Sequence, residues 1–404
     1  MTQIQLAEWS RVLYSPTTIL LYFAAAFVYL YALTTTVGRV KDRVRGRRAQ
    51  QAAGVVTVLG LTAHIAHEIF RGLAQDRLPL GNMFEVTSLM ALVGVGAGVG
   101  YLQFVRKRPE LNGFVLLAGG LLVAFAGLMY AEPGPLMPIL DTWWRPFHVS
   151  LLVAAMGIFA AGFVFHGLYL LSERAEQVRL VMTESSAGAA TTTATATVSG
   201  AIVAPQVRIP RDAARDATTA AGTPGEPDAP TIADPSVRSA MRQATSPFKL
   251  GIGMFLGTAT VSWVFIVAGD TTAVGVGRFL GINIAMVAAA LIAWWFTPFL
   301  PSAQTLDGLA HRTIAFAFVM WTVGTIAGAM WAEQSWGRFW GWDPKETGAF
   351  LTWVVYAGYL HGRATRGVRG RLAAWIGIGA FVVLMGTYLI ANYVIVGLHS
   401  YAGL

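Results

Sequence analysis

Residues 331–353 read WAEQSWGRFWGWDPKETGAFLTW, and Trp331, Trp336, Trp340, Trp342, Trp353 and Phe339 crowd into this one stretch. A membrane protein ordinarily scatters one or two indoles per helix end as an interfacial belt. Here four tryptophans fall between positions 331 and 342, interrupted by Gly337 and Gly341 and closed by Asp343-Pro344. Asp343 reads as an N-cap, Pro344 as the first helical residue and Glu346 as a first-turn acid favoured by the helix dipole. Asp343 and Glu346 could also be read as an acid pair, but the helix-start reading fits their spacing better. Trp336, Trp340, Trp342 and Asp343 thus predict a shaped apolar plate suited to a flat, planar, greasy ligand. Metal chemistry must come from the seven histidines (His64, His67, His148, His166, His311, His361 and His399), the carboxylates and the aromatics. The chain has no cysteine, which excludes disulfides, thiolate metal sites, iron–sulfur clusters and a cysteine nucleophile.

The elements that position these groups follow from composition. The 404 residues are 55% apolar and 12% charged, with a mean hydropathy of +0.56. A soluble domain carries about 25% charge, so a membrane-embedded, all-α, polytopic helix bundle is expected. About 20 apolar residues span the hydrocarbon core. Ten such runs lie near 17–38, 52–70, 84–105, 112–130, 147–171, 250–269, 277–299, 311–332, 348–364 and 372–397. The first is followed by the basic cluster Arg39–Arg48 rather than a cleavage site, so it reads as a span and not a signal peptide. Placing the N-terminus outside puts 22 of the 29 basic residues on the inner side. This bias predicts an N-out, C-out topology, and it turns the net charge of +8 into an orientation signal with no nucleic acid implied. Residues 172–249, rich in Ala, Thr, Pro and Gly, are expected to be a disordered inner-side linker. The domains read as a membrane bundle over 1–171, the linker, a possible extra transmembrane hairpin over 250–299, and a second membrane domain over 300–404.

Topology sorts the histidines. His148 lies at the outer start of the fifth span and His399 just beyond the outer end of the tenth, both on the side of the tryptophan loop. His361 lies inside the ninth span, roughly 20 Å below the outer surface. An ionisable residue at such depth is a functional candidate. His166, at similar depth on the fifth span, is expected to make an interhelical hydrogen bond, with a local ligand role beside His361 as the alternative. His64 and His67 share a helix face and are expected to pack against neighbouring polar groups. His311 reads as an inner interfacial residue.

WGRFWGWDPKE resembles the tryptophan-rich "WWD" signature of the heme-handling membrane proteins of cytochrome c biogenesis. Further segments are similar to the CcsA (ResC) group of System II: LPLGNMFE at 78–85, WWRPFHV at 143–149, YLHGRAT at 359–365 and GLHSYAG at 397–403. The resemblance covers roughly 60–171 and 305–404; the linker and the 250–299 hairpin resemble additions to the family pattern. It implies a heme-delivering subunit of a holocytochrome c synthase (cytochrome c heme lyase) in the plasma membrane. Heme b would be held as a bound substrate at the extracytoplasmic face, and its attachment to the Cys-x-x-Cys-His motif of apocytochrome c promoted there. By the same resemblance His148 and His399 are the axial iron ligands and His361 an intramembrane heme ligand. A ResB/CcsB-type membrane partner is implied as well. Arg77, Arg145, Arg338 and Lys345 are the outer-loop cations available to heme propionates. Two other readings stay open: a System I-like handler that passes heme to a carrier, and a proton or metal transporter whose tryptophans are only a belt.

Overall fold

The computed structural model describes residues 1–35, 40–134, 142–195, 234–268, 272–395 and 397, and the regular elements among them are helical. They are α1 Gln3–Val12, α2 Ile19–Thr34, α3 Val40–Ala74, α4 Met83–Gly100, α5 Asn112–Gly127, α6 Trp144–Thr195, α7 Pro235–Gln243, α8 Pro247–Ser262, α9 Val264–Val267, α10 Thr272–Trp295, α11 Ala303–Trp336, α12 Pro344–Thr365 and α13 Gly370–Tyr393. The chain is a multi-pass membrane protein: eight helical stretches among the described residues are long and apolar enough to cross a bilayer. The two other expected spans also fall on helices, 250–269 on α8 with α9 and 348–364 on α12. At 22 residues, α12 is about 33 Å long, the thickness of the hydrocarbon core.

Helix starts follow local rules. Asn82, Ser246 and Ser302 each accept a hydrogen bond from the backbone N–H three residues on, and Asp234 from the one two residues on. Pro235, Pro247 and Pro344 occupy first turns, where a missing N–H costs nothing. The spans then pack in series: α2 on α3 and α5, α5 on α4, α4 on α6, and α6 on α11 and α13. α12 lies against α13 and α11, and the 250–299 helices close against α13 and α5. The most extensive contact is between α6 and α11, so those two helices hold the molecule's two halves in register. Between membrane helices, close backbone approach replaces the hydrophobic effect as the driving force. α4 and α6 meet at Gly94 and Gly157, where a methyl on Gly157 would lie 2.5 Å from the Met90 carbonyl.

Within the 172–249 segment, α6 continues to Thr195, and α7 packs back on α6 through Val237 and Met241 against Ala175. A low density of large apolar residues does not prevent helix continuation in alanine-rich sequence, where propensity suffices. Residues 196–233 lie outside the described residues.

Candidate functional site

The ends of α3, α4, α5, α6 and α13 are tied together by side-chain hydrogen bonds to backbone carbonyls. Arg71, near the end of α3, donates to the Ala131 carbonyl beyond α5, and Arg145 at the start of α6 donates to the Leu80 carbonyl before α4. Tyr388, near the end of α13, donates to the Met83 carbonyl at the start of α4. The NMFE loop, the WWRPFH segment and the tryptophan loop therefore share one end of the bundle, as the sequence predicts.

His148 lies half-buried in a groove on α11. Its Nδ1 is 2.6 Å from the Gly324 carbonyl, a contact that Nδ1–H fills as donor, so Nε2 becomes the lone-pair nitrogen. The imidazole fits there because position 328 carries no side chain: a methyl on Gly328 would lie 2.5 Å from His148 Cε1, while Gly324 makes room for Leu152 of the same helix as His148. Trp331, 3% exposed, stacks beside the imidazole with ring centres 6.0 Å apart, and Trp336 leans on Trp331 at 5.1 Å.

The loop itself is built from its ends. α11 stops at Trp336 because Gly337 adopts the left-handed conformation (φ 67°). α12 begins with a capping box in which Asp343 and Glu346 satisfy each other's backbone N–H groups. Glu346 also accepts from the Gly341 N–H at 2.8 Å and from Asp343 N–H at 3.1 Å. Asp343 and Glu346 are thus structural, as the helix-start reading expects. Trp342 is a non-glycine residue at φ 58°, a conformation that costs about 1–2 kcal/mol. It carries an indole 67% exposed. Trp340, Trp342 and Phe350 meet edge to face, and Phe350 stacks on Trp353. The aromatic face of the loop therefore continues down α12.

His399 lies outside the described residues. Gly397, two positions before it, is described: a methyl there would lie 2.6 Å from Asp343 Oδ1 and 2.8 Å from Pro344, so Gly397 itself lies directly against the tryptophan loop. Of the four cations expected in outer loops, Arg77 is committed to Glu85 and to the Gly134 carbonyl, and Arg145 to Leu80. Arg338 lies over Gly341, its Nη1 3.6 Å from Glu346 and without a hydrogen-bond acceptor among the described residues. Burial pulls the Lys345 ammonium down to about 8, against the opposing pull of Asp343.

The remaining histidines separate. His361 is exposed on the lateral face of α12, while the buried stripe of that helix runs through Thr352, Tyr356 and Tyr359. His166 is fully buried behind Tyr359, with ring centres 5.7 Å apart. The two imidazoles therefore face opposite sides of α12, which removes His166 as a local partner for His361. The expected interhelical hydrogen bond of His166 is not made: both ring nitrogens lack a partner among the described residues, since its surroundings are Tyr359 and the glycine face of α13 at Gly377. His311 is half-buried, 6.3 Å from the same tyrosine ring. His64 packs against polar groups as expected, with Tyr22 Oη and Ser88 Oγ each at 3.0 Å.

Sequence reasoning did not find the junction that braces the NMFE loop. Glu85 is fully buried between Arg71 and Arg77, with N···O distances of 3.0 and 2.9 Å. The spacing of His64, His67, Glu68 and Arg71 on one helical face was the available signal, but the partners lie on other elements.

Residues 80–399 match the family described as Cytochrome C assembly protein. A cytochrome c biogenesis protein CcsA from Gloeobacter violaceus is 29% identical over 389 residues, covering 95% of this chain and 94% of that protein. Proteins of the same name from Microcystis aeruginosa and Guillardia theta are each 50% identical, over 99 and 101 residues. Those segments cover 24% and 25% of this chain and 30% and 34% of theirs.

Proposed function

Because this chain belongs to the CcsA family of cytochrome c assembly proteins and so acts in cytochrome c maturation, we propose that it is the heme-delivering subunit of a System II cytochrome c synthetase. The observation that carries the reading is His148. Its Nδ1 contact to the Gly324 carbonyl is of the kind that orients imidazole ligands and raises their basicity. Its other nitrogen then takes the iron of a heme b substrate from one side. His399, two residues after the Gly397 that lies against Asp343, takes it from the other, with the porphyrin edge resting on Trp336, Trp340 and Trp342. Arg338, whose Nη1 has no hydrogen-bond acceptor among the described residues, is the cation best suited to a heme propionate.

The reaction at this site is addition of two thiols of an apocytochrome Cys-x-x-Cys-His motif to the heme vinyl groups. Each sulfur bonds to one vinyl carbon and each thiol hydrogen goes to the other, so atoms balance without a redox change. The chain supplies positioning, which alone can account for a large part of a barrier. It contributes no competing thiol, since it has no cysteine. His361 is exposed on the flank of α12, where a lone imidazole in lipid is costly. That supports a role as an intramembrane heme ligand completed by a second chain of ResB/CcsB type. The tryptophan end is the extracytoplasmic face of the plasma membrane in this reading, in accord with the basic-residue bias.

The test is purification from membranes of a cell making cytochrome c. Co-purified heme with a bis-imidazole spectrum is expected, and its loss in the His148→Gly/His399→Gly double variant. Heme-free protein, together with undiminished cytochrome c maturation by the double variant, would overturn the assignment.

A further inference from the structure

A second buried polar system lies in the other half of the molecule, on α1 to α4. Two carboxyls face each other's helices there, and they are treated oppositely. Glu85 has Arg71 and Arg77 in direct contact and accepts the Gly81 N–H at 2.7 Å; it is held as a carboxylate. Glu68, 6% exposed, touches no guanidinium among the described residues. Its Oε1 accepts from Ser88 Oγ at 2.6 Å and lies 3.6 Å from His64 Nε2 and 3.9 Å from His67 Nε2. Among the described residues its Oε2 has no hydrogen-bond partner, and neither does His67 Nε2.

These contacts form a connected chain. Tyr22 Oη meets His64 Nδ1, His64 Nε2 meets Ser88 Oγ, and Ser88 reaches Glu68. His67 is fixed from its other side by Ser10 of α1, and Tyr14 packs on its ring. Among the described residues the hydrogen bonds run no further than Tyr22, so the chain is a branch closed at its far end. At its near end Glu68 lines a cavity of about 630 Å3 between α3, α4 and α6, whose rim carries Asp76 and Arg77 and whose α6 wall carries Ser150. Arg71, one turn along α3, is occupied by Glu85 and the Ala131 carbonyl.

An uncompensated carboxylate at this depth is too costly to persist; such a group keeps a proton or shares one with a neighbouring imidazole. We propose that Glu68 is a proton-binding site of this protein, exchanging one proton with water in the cavity and sharing it with His67 and with the Ser88–His64–Tyr22 chain. The protonated carboxyl gives its O–H proton to cavity water as a hydronium-type carrier and regains one by the reverse step. When the proton moves to His67 Nε2 instead, the pair becomes an imidazolium and a carboxylate of zero net charge. No electron moves in either step. This goes beyond heme delivery and does not rest on it.

Dicyclohexylcarbodiimide, an apolar reagent, tests the assignment on the full-length protein in lipid vesicles. A protonated carboxyl adds to it: the acid proton goes to a carbodiimide nitrogen, the oxygen bonds to the central carbon, and rearrangement leaves a stable N-acylurea. Peptide mass spectrometry should find this adduct on Glu68 and not on Glu85, by at least an order of magnitude, with yield rising as pH falls. Infrared difference spectra between acid and alkaline pH should contain a protonated-carboxyl stretch that disappears in Glu68→Gln. Equal labelling of the two glutamates, or labelling of neither, would overturn the proposal. So would a carboxyl stretch unchanged by Glu68→Gln.

Discussion

At the scale of single residues, glycine positions decide where an imidazole can lie. His148 has no special neighbour in sequence; it is oriented by the Gly324 carbonyl and by the missing side chain at Gly328 on α11. Gly328→Ala puts a methyl 2.5 Å from the ring, and the ring must move, because overpacking of this kind costs about 1–3 kcal/mol. The expected outcome is reduced heme co-purification with an altered absorption spectrum, measured on protein purified in parallel with wild type. Lys345 gives a pH signature. Its folded pKa of about 8 lies below the ordinary 10.5 because burial disfavours the ammonium. Between those values the unfolded chain binds more protons than the folded one, so stability rises with pH from about 8 to about 10.5. Unfolding midpoints of wild type and Lys345→Met should therefore converge across that window, the variant being relatively more stable on the acid side.

At the scale of elements, the loop between α11 and α12 is held by the first turn of α12. Glu346 binds the N–H groups of Gly341 and Asp343. Glu346→Ala frees both, at a cost of about 1–2 kcal/mol for the lost cap and its unsatisfied donors. A lowered thermal midpoint is expected, and with it weakened heme retention; Glu346→Gln should recover more of both, since an amide oxygen can still accept. This part of the site was legible in the sequence, because Asp-Pro-x-Glu is a local code whose partners lie within five residues. The NMFE junction was not legible. Glu85 is neutralised by Arg71 and Arg77, fourteen and eight residues away across a turn, and no local rule pairs them. His166 misled for the same reason: depth suggested a hydrogen-bond partner, and packing supplied an aromatic ring instead.

At the scale of the whole molecule, both Arg11, which lies over the Tyr130 ring, and Gly397, which lies against Asp343, sit at the tryptophan end. This arrangement matches an even number of crossings. Since the chain has no native cysteine, single substitutions report sidedness cleanly. Phe339→Cys, at the tryptophan end, should react with a membrane-impermeant maleimide on intact cells. Arg366→Cys, beyond the opposite end of α12, should react only after permeabilisation. The reverse pattern would invert the assigned faces.

Composition and hydropathy by themselves determined that the chain is a helical membrane protein, because the bilayer leaves helices of about 20 apolar residues as the simplest way to satisfy backbone hydrogen bonds. Local capping rules determined where the tryptophan loop ends. Only tertiary structure decided which polar groups meet. It turned His361 outward and His166 inward on either side of α12, set His148 in the groove of α11, and gave Glu85 two arginines while leaving Glu68 with none. Those choices depend on which helix lies beside which, and a side chain's charge state in a low-dielectric interior is set by neighbours that are distant along the chain.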